Sequence, residues 1–282
     1  MVESKEIRVK RLFAIAMLAL TALSVCGVIV YTVYKNRAVG GASPEIQFAQ
    51  DEIRIQTGDG YEKMLEGVTA TDAEDGDVTD SVMVESISKF VEEDVVNVTY
   101  AAFDSQNHVS RAERRIRYTN YQHPRFSMSG PMVFMSKNVS DLMNYIGVTD
   151  VIDGDISVKA HASFDDTSSA LASAGEHQVE LSVTNSLGDT VRLQVPVKVV
   201  EEVPHSESIP LKAFLVYVER GSEFDPAFYL ADADQAAPET GESGLQIDSR
   251  VNTAAAGVYA VDYSLIKNEV TTAFTRLIVV VE

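Results

Sequence analysis

The sequence predicts an all-β protein in which three tandem β-sandwich units follow one apolar N-terminal helix. Three observations support this prediction: an Asp-rich motif that occurs twice, short alternating strands separated by turn motifs, and one long uncharged segment near the N-terminus. Several short strands at regular spacing, without a convincing amphipathic helix, are typical of β-sandwiches. The motif that recurs sets the boundaries of the units, because an internal repeat shows how a chain is divided.

The repeated motif reads T-D-x-x-D-G-D-[VI]-[ST]. It occupies residues 71–79 and returns 78 residues later at residues 149–157. A second correspondence links the turn Asp104–His108 with the turn Asn185–Asp189, at an offset of 81 residues. Repeats of 78–81 residues suit units of about seven strands. The predicted domains are residues 44–120, 121–203 and 204–282.

The third unit keeps the final hairpin of the repeat but lacks the D-G-D sequence. Its hairpin strands are predicted at 257–263 and 273–281, with a turn at Lys267–Glu269. The region equivalent to the Asp-rich motif reads Ala-Asp-Ala-Asp from Ala231, and a loop rich in Pro, Gly and Glu extends from Gln235 to Gly244. We expect this divergent domain to carry a contact surface, because binding loops are commonly held on a rigid scaffold.

Alternation of apolar and polar residues, with β-branched and aromatic enrichment, predicts the remaining strands. In chain order they are residues 45–48, 52–56, 82–87, 95–103, 111–118, 125–129, 132–136, 177–183, 191–199 and 211–219. Prolines stand at the junctions between units and predict rigid, extended links there. These are Pro44, Pro124, Pro204 and Pro210.

Residues 12–34 form an uncharged run of 23 residues, which is long enough to cross a bilayer as a helix. Four basic residues precede it and two follow it, so residues 1–11 are predicted to form a cytoplasmic tail. Residues 35–43 then form a linker to extracellular domains. A cleaved signal peptide is one alternative, although its apolar run is usually shorter. A lipoprotein box ending at Cys26 is another, although the apolar run continues past it. We predict an uncleaved, single-pass signal anchor in the cell membrane.

The charge balance argues against one class of partner. The chain carries 23 basic and 42 acidic residues, a net charge of -19, and the residues after Arg37 alone carry -23. Such a surface repels phosphate backbones, so we expect no nucleic-acid partner.

The single cysteine, Cys26, excludes an intramolecular disulfide and a zinc site built from cysteines. Each exported domain is therefore expected to be held by its core alone.

Residues of the first unit carry a family resemblance. Ala70–Thr79 reads A-T-D-A-E-D-G-D-V-T, and Tyr100–Asn107 reads Y-A-A-F-D-S-Q-N. These stretches resemble the bacterial immunoglobulin-like repeat of surface proteins and some pesticidal crystal toxins, which shows A-T-D-x-E-D-G-D-[LV]-T and then Y-x-A-x-D-x-x-G-N. The resemblance covers residues 44–282, and it is close in the first unit, fair in the second and weak in the third. It implies tandem immunoglobulin-like sandwiches outside the cell, without enzymatic activity, and it does not define the role.

The aspartates of the two motifs are candidate calcium ligands. Clustered carboxylates on a turn are the hard oxygen ligands that Ca²⁺ takes. The alternative is that they form the turns themselves, because Asp hydrogen-bonds its own backbone and D-G is a common turn pair. The spacing differs from that of an EF-hand loop, and calcium is the only candidate cofactor. The six candidates are Asp72, Asp75, Asp77, Asp150, Asp153 and Asp155.

A basic strand face is the remaining charged feature. Arg111, Arg115 and Arg117 share it with Glu113, and it is either a patch for anionic lipids and wall polymers or a solvated strand face.

The five histidines show no metal-ligand spacing, and the sequence contains no G-x-S-x-G, H-E-x-x-H or Gly-rich phosphate loop. We therefore predict that the protein is not an enzyme.

These features predict a membrane-anchored, non-catalytic stalk, adhesion or protein-interaction module of a bacterial cell surface. The expected partner is an extracellular protein or a wall polymer, bound through the third domain. One alternative is an accessory subunit of a cell-envelope assembly that uses residues 12–34 and the first domain. A glycan-binding ectodomain is a further alternative, against which the absence of Trp counts.

Overall fold

The computed structural model describes residues 17–33, 42–135, 139–164, 173–201, 208–231 and 244–282. Their contacts divide into two compact units. Unit 1 contains Asp59–Ile87, Asn97–Arg117 and the residues up to Ile55. Unit 2 contains Gln56–Gly58, Ser88–Val96 and Tyr118–Glu282.

Strands dominate both units, as predicted for an all-β protein. The first repeat contains β1 (Glu45–Phe48), β2 (Glu52–Ile55), β3 (Val68–Asp72), β4 (Gly76–Asp77), β5 (Met83–Glu92), β6 (Val95–Phe103) and β7 (Val109–Tyr118). The second contains β8 (Arg125–Met128), β9 (Val133–Met135), β10 (Ile146–Asp150), β11 (Gly154–Asp155), β12 (His161–Phe164), β13 (Gly175–Thr184) and β14 (Thr190–Val200). The third contains β15 (Leu215–Val218), β16 (Gly244–Ser249), β17 (Gly257–Lys267) and β18 (Val270–Val281).

Among the described residues, the helical segments after the N-terminal region are short. Residues 17–33 form an α-helix, and a single α-helical turn forms at Tyr61–Met64. In the part of the chain that the structure describes, the 3₁₀ segments are Thr79–Ser81, Val139–Tyr145, Ser157–Lys159 and Pro226–Tyr229.

The first two repeats have the same sheet topology. One sheet has the order β1-β3-β4 in the first repeat and β8-β10-β11 in the second. The other sheet has the order β2-β7-β6-β5 in the first and β9-β14-β13-β12 in the second. Two sheets per repeat are the arrangement of a β-sandwich. Among the described residues of the third repeat there is one sheet, with the order β15-β18-β17-β16.

Alternating burial explains why the hairpin strands of the second repeat form where the sequence predicts them. Val179 lies opposite Val195, and Leu181 lies opposite Leu193. All four side chains are buried, and they belong to one core cluster. Because successive side chains of a strand point to opposite faces, this period-2 pattern buries one face of the hairpin.

The sheet of the third repeat is buried on both faces, so the residues from Leu277 to Val281 are buried without interruption. Ile278 and Val280 pack into the core of the second repeat. Leu277 and Val279 pack into a separate core with Leu230 of the third repeat. The third repeat therefore shares a core with the second. Of the predicted junction at 204, residues 202–207 lie outside the described residues, and the three-domain division stays a prediction.

The apolar side chains of the helix at residues 17–33 are exposed, as at Leu20 and Leu23. In the described part of the chain, no helix has both the length and the apolar character needed to cross a membrane. Residues 12–16 and 34 of the predicted span lie outside the described residues. The membrane-spanning helix therefore stays a prediction.

Candidate functional site

The two Asp-rich motifs fold into loops with matching hydrogen bonds. Asp72 Oδ1 accepts hydrogen bonds from the backbone N–H groups two and three residues later, at 2.8 and 3.0 Å. Asp150 Oδ1 does the same at 2.9 and 2.8 Å. Asp77 and Asp155 each accept a bond from the N–H two residues later, at 3.0 and 2.9 Å. The glycine of each loop has a left-handed φ, 77° in the first and 73° in the second, which Gly adopts without steric cost.

The middle aspartate of each loop joins it to the hairpin turn of the same repeat. Asp75 accepts hydrogen bonds from the Ser105 N–H at 2.6 Å and from its hydroxyl at 3.0 Å. Asp153 accepts the equivalent bonds from Ser186 at 2.8 and 2.6 Å. This contact explains why the motif and the turn recur together in the sequence.

The two loops differ at one buried oxygen atom. Asp72 is 8% exposed, and its Oδ2 atom has no hydrogen-bond partner among the described residues. The Oδ2 atom of Asp150 accepts a hydrogen bond from the Asn185 amide at 3.0 Å. Asp104 stands at the position of Asn185 in the first repeat. An ionised carboxylate has no proton to donate, so this difference removes the donor.

The geometry supports the turn interpretation of these aspartates. All six accept hydrogen bonds from the protein itself, as Asp turn formers do. In the part of the chain that the structure describes, no three His, Cys, Asp or Glu side chains form a group able to hold a metal ion. Calcium binding by these residues stays a prediction that an experiment must test.

Calcium removal is expected to leave the melting temperature of the full chain unchanged. The physical reason is that the loop carboxylates already hold their backbone through hydrogen bonds. The measurement compares thermal unfolding in millimolar calcium with unfolding in excess EGTA. A lower melting temperature in EGTA, absent in an Asp75→Asn variant, would instead establish calcium as a ligand of the first loop.

Acidification is expected to weaken the loops. Burial raises the pKa of Asp153, but hydrogen bonds from Ser186 and Lys159 lower it more, so the net shift is downward. A lowered folded-state pKa stabilises the fold above the unfolded pKa of about 4, and this stability is lost as pH falls further. The melting temperature of an Asp153→Asn chain should therefore fall less between pH 7 and pH 3 than that of the parent. Asp141→Asn, at an exposed position of the same repeat, is the matched control.

The basic strand face of the first repeat is paired with carboxylates. Arg111 donates two charge-assisted bonds of 2.7 Å to Glu85. Arg115 and Arg117 both donate to Glu52, at 3.2 and 3.0 Å. The Arg117 hydrogen bond, followed by that of Arg115, holds the pKa of Glu52 below its ordinary value despite an opposing burial effect. This pairing supports a solvated, ion-paired strand face over a patch for anionic lipids.

The third repeat holds an aromatic cleft that the sequence did not predict. It is an open cleft of about 950 Å³, and we call it the distal cleft. Phe224 and Tyr229 stack with their ring centroids 5.6 Å apart, and Phe228 meets Tyr229 edge to face at 5.3 Å. Phe228 is 64% exposed, although large apolar rings usually gain by burial. The described residues that line the distal cleft are Gly221, Ser222, Glu223, Phe224, Asp225, Phe228, Tyr229, Ser249, Val251 and Thr253.

Backbone contacts hold the walls of the distal cleft together. The Gly221 N–H donates to the Thr253 carbonyl at 2.7 Å, which joins the two walls. Asp225 caps the 3₁₀ turn that carries Phe228 and Tyr229, accepting from the Ala227 N–H at 2.9 Å. Phe224 and Tyr229 also pack against the core of the third repeat. The rings therefore project from a preorganised scaffold.

The predicted contact loop at 235–244 falls almost entirely outside the described residues; only Gly244, where β16 begins, is described. The cleft residues were missed because they come from two segments that lie far apart in the sequence. The signal that was present is the cluster F-D-P-A-F-Y at residues 224–229, which places three aromatic rings within six residues.

No protein-family profile matches the chain, and no curated protein matches it. A structure of the CBM51-2 and INT domains of Clostridium perfringens ZmpB with GlcNAc has 18% identity and a TM-score of 0.22, and the match covers 53% of this chain and 26% of that one. A Bacteroides thetaiotaomicron lipoprotein has 10% identity and a TM-score of 0.20, and the match covers 83% of this chain and 98% of that one. Human CDH23 EC21-23 has 10% identity and a TM-score of 0.20, and the match covers 86% of this chain and 100% of that one. Scores this low leave the role of the chain to be inferred from its own residues.

Proposed function

We propose that this chain is a non-catalytic binding module of a bacterial cell surface, anchored by residues 12–34, which contacts its partner through the third repeat. The observation that carries the proposal is the exposed aromatic cluster of the distal cleft. A ring such as Phe228, exposed on a rigid scaffold, offers apolar area that a partner can bury at little entropic cost. Aromatic residues of this kind are enriched among the residues that dominate binding energy.

The experiment uses the full chain, because the third repeat cannot be removed cleanly. Leu215, Ile278 and Val280 belong to the core of the second repeat, so deletion of residues 204–282 would expose that core. Affinity capture from the surface of the native cell should recover a partner with the parent chain. Phe228→Ser should lose that partner, and Val270→Ser, which changes another exposed apolar residue of the same repeat, should keep it.

The membrane anchor is tested in the same cells. The full chain should stay in the membrane fraction after alkaline carbonate extraction, and added protease should digest its C-terminal region in intact cells. Recovery in the soluble fraction would contradict the anchor. Protection of the C-terminal region would contradict the orientation.

The alternative role, an accessory subunit of an envelope assembly, gives a different result. Exchange of residues 12–34 for an unrelated apolar segment of equal length should leave capture intact under our proposal. Loss of the partner on that exchange, with binding retained by Phe228→Ser, would favour the alternative.

A further inference from the structure

We propose that the distal cleft binds a lysine- or arginine-bearing segment of a partner protein, an inference that rests on the proposed function of the third repeat. The cationic side chain would lie against the aromatic rings and close to Glu223. The cleft offers both elements of such recognition, because aromatic faces attract cations and a carboxylate adds a charged acceptor.

The charges of the cleft favour a cationic ligand. Glu223 and Asp225 line it, and none of the lining residues that the structure describes is Lys, Arg or His. Asp225 is already used by the Ala227 N–H, whereas Glu223 is exposed. The nearby arginines are engaged elsewhere, since Arg220 donates to the Ala254 carbonyl at 2.8 Å and Arg250 lies 3.6 Å from Asp248.

The molecule itself places a cation at one of these rings, that of Phe228. The Lys212 ammonium lies 4.4 Å from the centroid of the Phe228 ring, within the range of a cation–π contact. It also donates to the Phe228 carbonyl at 2.6 Å. Lys212 itself is not among the described residues that line the cleft, which also include the rings of Phe224 and Tyr229.

The wider surface would draw the same ligand. Residues 204–282 carry 12 acidic and 5 basic residues, a net charge of -7. Complementary charge of this kind speeds association and selects among partners. A neutral sugar would gain nothing from this field, which is why a basic protein segment is favoured over a glycan.

The test measures binding of the full chain to three probes at low ionic strength. They are a ten-residue peptide of alternating Lys and Gly, a matched peptide of alternating Gln and Gly, and a tetramer of N-acetylglucosamine. We expect the Lys peptide alone to bind, with an affinity that falls as salt is added. Phe228→Ala and Glu223→Gln should each weaken it about three- to fivefold.

The matched controls separate the cleft from general attraction to an acidic chain. Glu269→Gln makes the same charge change at an exposed position outside the cleft, and Val270→Ala removes an exposed apolar side chain. Both should bind like the parent, and the melting temperatures of all variants should agree within a degree or two because the changed side chains are exposed.

Three results would overturn the inference: no binding of the Lys peptide, equal weakening by Glu269→Gln, or binding of the sugar that is lost in Phe228→Ala. The capture experiment and the peptide experiment together distinguish a failure of this inference from a failure of the proposed function. Capture of a surface partner that depends on Phe228, without Lys-peptide binding, would refute the cationic ligand and retain the binding role. Failure of capture with intact Lys-peptide binding would refute the broader role and retain the cleft.

Discussion

Replacement of Arg276 by alanine should lower the free energy of unfolding of the chain by about 3 kcal/mol or more. This arginine is 2% exposed and joins the second and third repeats. Its guanidinium donates two bonds of 2.7 Å to Glu176, and bonds of 2.7 and 2.9 Å to Asp262. Without it, two facing carboxylates repel each other where the repeats meet, and Asp262 is left with the Lys198 ammonium at 3.4 Å among the described residues.

Urea unfolding of the full chain, followed by circular dichroism, measures this effect. Arg276→Lys should recover only part of the loss, because an ammonium cannot make two bidentate contacts. Arg192→Ala is the control: that arginine is exposed and lies 3.9 Å from Glu180, so its loss should cost less than about 1 kcal/mol. If the Arg276 and Arg192 changes lower the free energy of unfolding equally, the bridge between the repeats stabilises the fold no more than an exposed ion pair does.

Replacement of Arg114 by alanine should destabilise unit 1 by about 3 kcal/mol or more. The side chain is 2% exposed and donates to the carbonyls of Met64 and Glu66 and to the Tyr100 hydroxyl, which lies 3.0 Å away. It also lies 5.3 Å from the ring centroids of Phe48 and Tyr100. Its removal would take one donor from each of these two carbonyls, of which that of Met64 keeps the Tyr100 hydroxyl, and would leave a cavity beside two rings.

The control for Arg114 stands on the same strand. Arg111→Ala removes an exposed arginine that pairs with Glu85, and it should cost less than about 1 kcal/mol. Unfolding is followed by intrinsic tyrosine fluorescence, since Tyr100 lies in contact with the changed residue. If the two alanine variants unfold at the same urea concentration, the buried network of Arg114 does not hold the unit together.

The strands with strong alternation were predicted closely from the sequence. β1 and β6 coincide with their predicted ranges, because apolar residues alternate in β1 and β-branched and aromatic residues are concentrated in β6. The short strands on either side of each Asp-rich loop, such as β3 and β10, were not predicted as strands. Five residues interrupted by Thr and Asp give too weak a period for recognition, and pairing with β1 and β8 decides their conformation.

The two buried arginines show a different limit of sequence reasoning. Arg114 follows Glu113 and precedes Arg115, and Arg276 stands between Thr275 and Leu277, so neither position carries a local sign of burial. Each is buried because acceptors from elsewhere in the chain converge on it. The partners of Arg276 include Glu176, which lies 100 residues away. Local pattern contains no information about such a distant acceptor.

The sequence alone determined the repeat and its register. In each of the first two repeats, hydrogen bonds join the Asp-rich loop to the hairpin turn, as between Asp75 and Ser105. The same residue types therefore adopt the same local structure in both repeats. Only the tertiary structure decided that the third repeat shares a core with the second, and that Phe228 meets residues near Thr253 in one cleft. Burial and cleft formation depend on which faces meet across long sequence separations, and the chain order of residues does not state this.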